Sequence, residues 1–289
     1  MRQRFRLEHF PQVVQFLVLL LLFFIGIMLQ AGLISTFNNN MGDATKVLII
    51  MVCTQIVGFL IPAWIYVKLI PRPLGAMLQF RPIDRKQDIL WIVMLTAPTL
   101  AAVMGLSQIM MQLPFGDMAK QMQEQRNELE QAALQMQTIP QLLSRLLVMA
   151  LLPAFCEEIF FRGLVQRFML TFIKSPLPAI IISSILFAAL HSSIYNLLPI
   201  VLAGTVLGYL YYKTGNIWNN IILHFLINGV QIVLNYFSTE DSGEERLSIA
   251  VAITLLVAGL ALIIFILRAI AKGKPSYAAT MRIPYHPPF

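Results

Sequence analysis

Eight apolar runs of near membrane-spanning length divide this chain. A helix needs about 20 mostly apolar residues to cross the hydrocarbon core of a bilayer. The runs occupy residues 12–34, 47–70, 89–111, 141–161, 177–194, 197–212, 217–237 and 248–270. Lipid offers no hydrogen-bond partner to a peptide backbone, so each run must satisfy its own backbone groups as a helix. The sequence therefore predicts an all-α, polytopic membrane protein of about eight transmembrane helices.

Composition and charge agree with that class. Of the 289 residues, 58% are hydrophobic and 12% are charged, and the mean hydropathy is +0.74. A soluble domain carries about 25% charged residues. The net charge of +7 could suggest a nucleic-acid partner, but the basic residues flank the apolar runs, where they report orientation. We expect the lipid bilayer as a partner and no nucleic acid.

The charge distribution also predicts topology and organisation. Basic residues precede the first run, follow the last, and fill the connection between the second and third runs. By the positive-inside rule both termini are cytoplasmic, in a cell membrane that we take to be a bacterial inner membrane. We divide the chain into an N-terminal transmembrane region with about three spans and a polar outer helix (1–140), a core (141–240), and a last span with a basic cytoplasmic tail (241–289). The polar helix either covers the outer mouth of a cavity or is a solvated connection.

The fourth run carries two glutamates and an arginine. Ionisable groups within a span are expensive and usually functional. Glu158 and Arg162 are four residues apart with the acid first, which favours an ion pair on one helix face. Glu157 is rotated by about 100° from Glu158, so it remains available as a general base. The alternative is a solvated acid–base pair at the membrane edge. Cys156, next to Glu157, is interpreted as a packing residue.

Two histidines lie within the fifth and seventh runs. His191 follows Phe187 by four residues, so the two side chains share a helix face. His224 belongs to a polar stripe along an otherwise apolar helix, which must face protein or water. The stripe comprises Asn220, His224, Asn228, Gln231 and Asn235. The alternative is a hydrogen-bonded seam between helices.

These residue types suit two hydrolytic schemes. The imidazoles of His191 and His224, with a carboxylate, can hold a divalent metal such as zinc and leave a position for water. Without a metal, Glu157 can activate water while His224 and Asn228 donate hydrogen bonds to a developing oxyanion. Both schemes hydrolyse an acyl bond.

The joint pattern resembles the CAAX protease and bacteriocin-processing (CPBP) family of intramembrane proteases, which includes the type II CAAX prenyl endopeptidases. The resemblance covers about residues 141–240 and rests on three motifs: Glu157-Glu158-x-x-x-Arg162, Phe187-x-x-x-His191 and His224-x-x-x-Asn228. It places the active site among helices 4, 5 and 7.

The resemblance also implies roles for these residues. Glu157, together with His191, would activate the attacking water. Glu158 and Arg162 would support the site. His224 and Asn228 would stabilise the oxyanion or bind metal.

The expected function is therefore an intramembrane endopeptidase that acts on a membrane-associated peptide or protein. The alternatives are a transporter or proton relay, since Glu and His chains in membranes also serve those purposes, and a catalytically idle bacteriocin-immunity protein. One conflict remains among these expectations. The runs place Glu157 near the inner end of its span and His191 nearer the outer end of its own, roughly 10 Å apart in depth at 1.5 Å per residue. We expect the span boundaries to be wrong rather than the site.

Overall fold

A computed structural model describes residues 7–37, 44–70, 80–81, 83, 86–173, 175–191, 193–238 and 247–272. All regular secondary structure among these residues is helical. Seven of the helices are long and apolar enough to cross a membrane. The all-α, polytopic membrane class predicted from the sequence is confirmed. The terminal basic residues and the acidic residues 240–245, on which the orientation was predicted, lie outside the described residues, except Lys272.

Nine helices are named here, in chain order within the described residues. They are α1 (Gln12–Phe37), α2 (Ala44–Gln55 continuing through Ile56–Leu60 and Ile61–Leu69), α3 (Lys86–Met110), α4 (Asp117–Leu134), α5 (Ile139–Arg145 continuing through Leu146–Leu151, Leu152–Phe160, Phe161–Val165 and Gln166–Phe172), α6 (Pro176–Ala189), α7 (Ile194–Thr214), α8 (Ile217–Phe237) and α9 (Ile249–Ala271).

The fourth predicted span, residues 141–161, is wrong at its inner end. Helix α5 runs without a break over Ile139–Phe172, 34 residues. The predicted span ended at residue 161, but Arg162 and the next polar residue, Gln166, are both fully buried inside the protein and continue the helix. Glu157 consequently lies near the middle of α5. This position removes the conflict in depth between Glu157 and His191.

The fifth predicted span, residues 177–194, is also wrong. Helix α6 has 14 residues and ends at Ala189, which gives a length of roughly 21 Å against a hydrocarbon core of about 30 Å. After Ala189 the chain continues as Leu190, His191, Ser192 and Ser193 before the apolar residues of α7 begin at Ile194, so the predicted span ran past the helix end into a short polar turn. His191 lies in that turn, between α6 and α7.

Two wide π-helical turns lie within the continuous helix α5, one on each side of the segment that carries Glu157 and Glu158. They span Leu146–Leu151 and Phe161–Val165, and the stretch Leu152–Phe160 between them carries Glu157. Pro153 stands at the start of this middle stretch. Its ring cannot donate an amide hydrogen, and the preceding π turn accommodates that loss within a continuous helix. Such turns are frequent at functional sites.

Two glycines of α7 let it approach α5 and α6 closely. A Cβ on Gly204 would lie 3.0 Å from Ser184 Cβ, and one on Gly208 would lie 2.7 Å from Ile180 Cγ2. The small-residue spacing thus permits the close helix contact that it predicts. The carbonyls of the same glycines accept hydrogen bonds from α5, from Arg162 at 3.2 Å and Gln166 at 2.9 Å.

We expect Gly208→Ala to lower the thermal unfolding temperature by a few degrees, because overpacking a close contact costs about 1–3 kcal/mol. Gly32→Ala is the matched control, since a Cβ there meets nothing within 4 Å. Thermal unfolding of both variants in detergent checks this. Equal unfolding temperatures for the two variants would contradict the close α6–α7 contact.

Candidate active site

An ion pair buried in α5 forms the base of the site. Arg162 Nε lies 3.2 Å from Glu158 Oε2, and both side chains have no exposed surface. The guanidinium also lies over the Phe187 ring, at 5.4 Å from its centroid, in a cation–π contact. The structure therefore forms the pair that the spacing predicts. It lies in the protein interior, which excludes a solvated pair at the membrane edge.

Helix α8 completes the surroundings of Glu158. Asn220 Nδ2 donates to Glu158 Oε2 at 3.2 Å, and His224 Nδ1 lies 3.0 Å from Glu158 Oε1. An ionised carboxylate only accepts hydrogen bonds, so His224 Nδ1 carries the hydrogen. Glu158 thereby fixes the orientation of the imidazole and leaves Nε2 for the site.

Glu157 faces the other edge of the same imidazole. Its Oε2 lies 3.9 Å from His224 Nε2. Its Oε1 accepts a hydrogen bond of 2.9 Å from Gln55 Nε2 on α2. The carboxylate is 6% exposed, so it is nearly enclosed yet not sealed. The two neighbouring glutamates thus have different surroundings: Glu158 contacts Arg162, Asn220 and His224, whereas Glu157 keeps one oxygen toward the open side.

His191 approaches from the turn after α6. Its Nδ1 lies 3.1 Å from the Phe187 carbonyl, which only accepts, so Nδ1 donates and Nε2 is free. Burial lowers the pKa of His191 despite the nearby Glu157 charge, which favours the neutral ring. The Phe187 ring packs edge-on against both histidines, with centroids 4.8 Å from His191 and 6.2 Å from His224.

Helix α4 is hydrogen-bonded to the turn that carries His191. Arg126 Nη1 donates to the His191 carbonyl at 2.6 Å. Ser193 Oγ in the same turn donates to Gln123 Oε1 on α4. Most residues of α4 are exposed, and Gln123 and Arg126 make the hydrogen bonds to this turn. A cover over the site stays a prediction.

The polar stripe of α8 divides into two parts. Asn220 and His224 are buried and both contact Glu158. Asn228, one turn later, is half-buried and makes no hydrogen bond within the described part of the chain. Gln231 is exposed and donates to the carbonyl of Ile227 in its own helix. The structure therefore brings together five predicted site residues and leaves the Asn228 amide without a protein partner there.

The donor set for a metal is incomplete in this geometry. His191 and His224 each use Nδ1 for a partner and keep Nε2 available, as metal-ligating histidines do. Among the described residues, however, no three His, Cys, Asp or Glu side chains are grouped closely enough to hold an ion. The predicted zinc at His191 and His224 stays a prediction.

Two site residues were missed or undervalued in the sequence. Gln55 is a single amide in an apolar run, and nothing local links it to Glu157, 102 residues later. Phe187 was noted only for its spacing, yet its ring contacts Arg162, His191 and His224. An isolated polar residue in the middle of a span was the available signal for Gln55.

Comparison with known proteins supports the motif-based resemblance. Residues 139–230, about a third of the chain, match the family model described as "Type II CAAX prenyl endopeptidase Rce1-like". No curated protein and no solved structure matches the chain. The matched segment runs from the start of α5 into α8 and contains all three motifs. The family resemblance predicted from those motifs is confirmed.

We expect Arg162→Leu to destabilise the protein by about 3–5 kcal/mol, because it leaves the buried Glu158 carboxylate without its cation. Glu158→Leu combined with Arg162→Leu should recover part of this loss, since no unpaired charge then remains buried. Unfolding of single and double variants in detergent measures both. A double variant no more stable than Arg162→Leu alone would contradict the buried-pair account.

Proposed function

We propose that this chain, residues 139–230 of which match the type II CAAX prenyl endopeptidase Rce1-like family model, is an intramembrane endopeptidase that hydrolyses a peptide bond of a membrane-associated substrate. We place it in the cell membrane with both termini cytoplasmic. The observation that supports the activity most directly is the placement of Glu157 Oε2 3.9 Å from His224 Nε2. A second carboxylate beside a buried ion pair, with one oxygen close to an imidazole, is an arrangement typical of acid–base chemistry.

In the proposed reaction Glu157 acts as the general base. It takes a proton from a water molecule while the water oxygen forms a bond to the carbonyl carbon of the substrate. His191 Nε2, which is free to accept, orients the same water. The tetrahedral intermediate then collapses by breaking the C–N bond. Glu157 returns its proton to the leaving nitrogen, which yields a carboxylate and an amine.

The oxyanion of that intermediate needs hydrogen-bond donors. The side-chain amide of Asn228 does not ionise, so it can donate at any pH. It has no competing hydrogen-bond partner among the described residues. His224 Nδ1 already carries a hydrogen toward Glu158, so Nε2 donates only when the ring is protonated. Such a ring would lie between two carboxylates, Glu157 and Glu158. The position of His224 Nε2 beside Glu157 supports its predicted role at the oxyanion.

A divalent metal, with zinc as the predicted ion, is the other form of this proposal. His191 and His224 would hold it through their Nε2 atoms, and it would supply a Lewis acid that polarises the water. No step of the proposed reaction uses this metal, because no third donor is grouped with the two histidines among the described residues.

We expect Glu157→Gln to reduce peptide cleavage by at least about 10²-fold, since it removes the general base, and His224→Ala to reduce it similarly. The assay uses purified protein in proteoliposomes with a pool of membrane-associated peptides, followed by mass spectrometry. Glu130→Gln, on an exposed position of α4, is the control and should retain full activity.

Cleavage unaffected by both site variants would overturn this proposal. Ion or proton flux through the same proteoliposomes, dependent on Glu157 and without peptide turnover, would favour the transporter or relay alternative instead.

The metal-free scheme predicts that activity survives treatment with a zinc chelator, because that scheme needs only Glu157 and its hydrogen-bonding neighbours. Metal analysis of the purified protein, paired with the chelated assay, checks this. Stoichiometric zinc together with loss of activity on chelation and recovery on zinc addition would replace the metal-free scheme with the metal-bound one.

A further inference from the structure

Gln55 touches the proposed catalytic base from outside the matched segment. It lies on α2, and its Nε2 donates to Glu157 Oε1 at 2.9 Å across 102 residues of sequence. Both side chains are buried. Because an ionised carboxylate only accepts hydrogen bonds, the contact also fixes which end of the amide faces Glu157.

Gln55 has no other polar contact that would explain its burial. Its Oε1 is buried and has no hydrogen-bond partner within the described residues. The other buried glutamines that contact backbone hold helices or turns together: Gln15 donates to the Phe10 carbonyl and Gln166 to the Gly208 carbonyl. The Oε1 of Gln166 is likewise buried without a hydrogen-bond partner within the described residues, so what distinguishes Gln55 is that it donates to a side chain of the site. Burying an amide oxygen without a hydrogen-bond partner costs about 1–3 kcal/mol of stability. The contact that this buried amide does make is the hydrogen bond to Glu157.

The local shape of α2 suits this contact. Gln55 is the last residue before the π turn Ile56–Leu60. A π turn contains one extra residue, which rotates the following segment by about 100°. The part of α2 that presents Gln55 to α5 and the part that packs on α1, Ile61–Leu69, therefore need not share one face.

We propose that Gln55 is a positioning residue for Glu157: its amide holds Glu157 Oε1 so that Oε2 is directed to the water and to His224. The catalytic consequence rests on the proposed function, in which Glu157 is the base. The contact itself does not. Groups that orient a reacting side chain through one hydrogen bond typically contribute 10–100-fold to activity.

The test compares three variants. Gln55→Met keeps the approximate size of the side chain and removes the donor. Gln55→Glu keeps the shape and sets a second carboxylate against Glu157, where like charges repel. Gln166→Met is the matched control, because Gln166 is also buried and also donates at 2.9 Å, but to a backbone carbonyl between helices.

The activity measurement uses an internally quenched version of a peptide that the wild-type protein cleaves. We expect Gln55→Met to lower kcat by about 10–100-fold with KM changed less than about twofold, because Gln55 contacts Glu157 and not the substrate. Gln55→Glu should lose more. Gln166→Met should lower the unfolding temperature and leave kcat within about threefold. A Gln55→Met kcat within threefold of wild type, or equal kcat losses in both methionine variants, would overturn the proposal.

A second measurement is independent of proteolysis. The infrared carboxylate band of Glu157, assigned by its disappearance in Glu157→Gln, should shift in Gln55→Met and stay in place in Gln166→Met. An unshifted band in Gln55→Met would overturn the positioning contact. A shifted band in a protein that cleaves no peptide would retain the contact and overturn the proposed function, so the two failures are distinguishable.

Discussion

Glu158 and Arg162 set two opposite charges in the interior of one helix, where neither side chain has exposed surface. Desolvating two charges is costly, and their attraction offsets that cost only if further hydrogen bonds satisfy them. Several of those bonds come from elsewhere in the fold: Asn220 and His224 of α8 reach Glu158. The Gly204 carbonyl of α7 accepts from Arg162 Nη2, while Arg162 Nη1 has no hydrogen-bond partner within the described residues. The relative positions of α5, α7 and α8 therefore depend on this ion pair. The glycines of α7 permit its close approach to α6. One of them, Gly204, also supplies the carbonyl that accepts from Arg162.

The pair also orients the proposed catalytic groups. Because Glu158 receives His224 Nδ1, the Nε2 edge of the ring is directed to Glu157. Phe187 contacts the guanidinium and both imidazoles, so it couples the position of α6 to the same centre. A buried ion pair contributes little net stability by comparison with apolar packing. Its contribution here is orientation, which leaves Glu157 as the carboxylate with one oxygen uncommitted.

Much of this could be predicted from the sequence, for identifiable reasons. Helical periodicity places Glu158 with Arg162, because the two lie one turn apart on α5. It also predicts that Phe187 and His191 are neighbours, and their rings are in contact although His191 lies in the turn just beyond the end of α6. Contacts between helices far apart in sequence, such as Gln55 with Glu157, leave no local pattern. One span boundary was wrong because hydropathy misreports burial: Arg162 and Gln166 are polar yet enclosed by protein. The other was wrong because the polar turn after α6 is short and lies between two apolar helices, so it was counted as part of a span. The composition of α4 is equally suited to water and to a protein surface, so its hydrogen bonds to the His191 turn could not be predicted from the sequence.

The central claim is that Glu157 activates a water molecule for direct attack on a peptide bond. A single-turnover reaction in ¹⁸O-labelled water, with enzyme in excess over peptide, tests it most directly by mass spectrometry of both product and protein. Direct attack predicts one ¹⁸O atom in the new carboxylate of the product and none in Glu157. Label in the Glu157 side chain with an unlabelled product would reveal a covalent acyl intermediate on Glu157 and contradict the account.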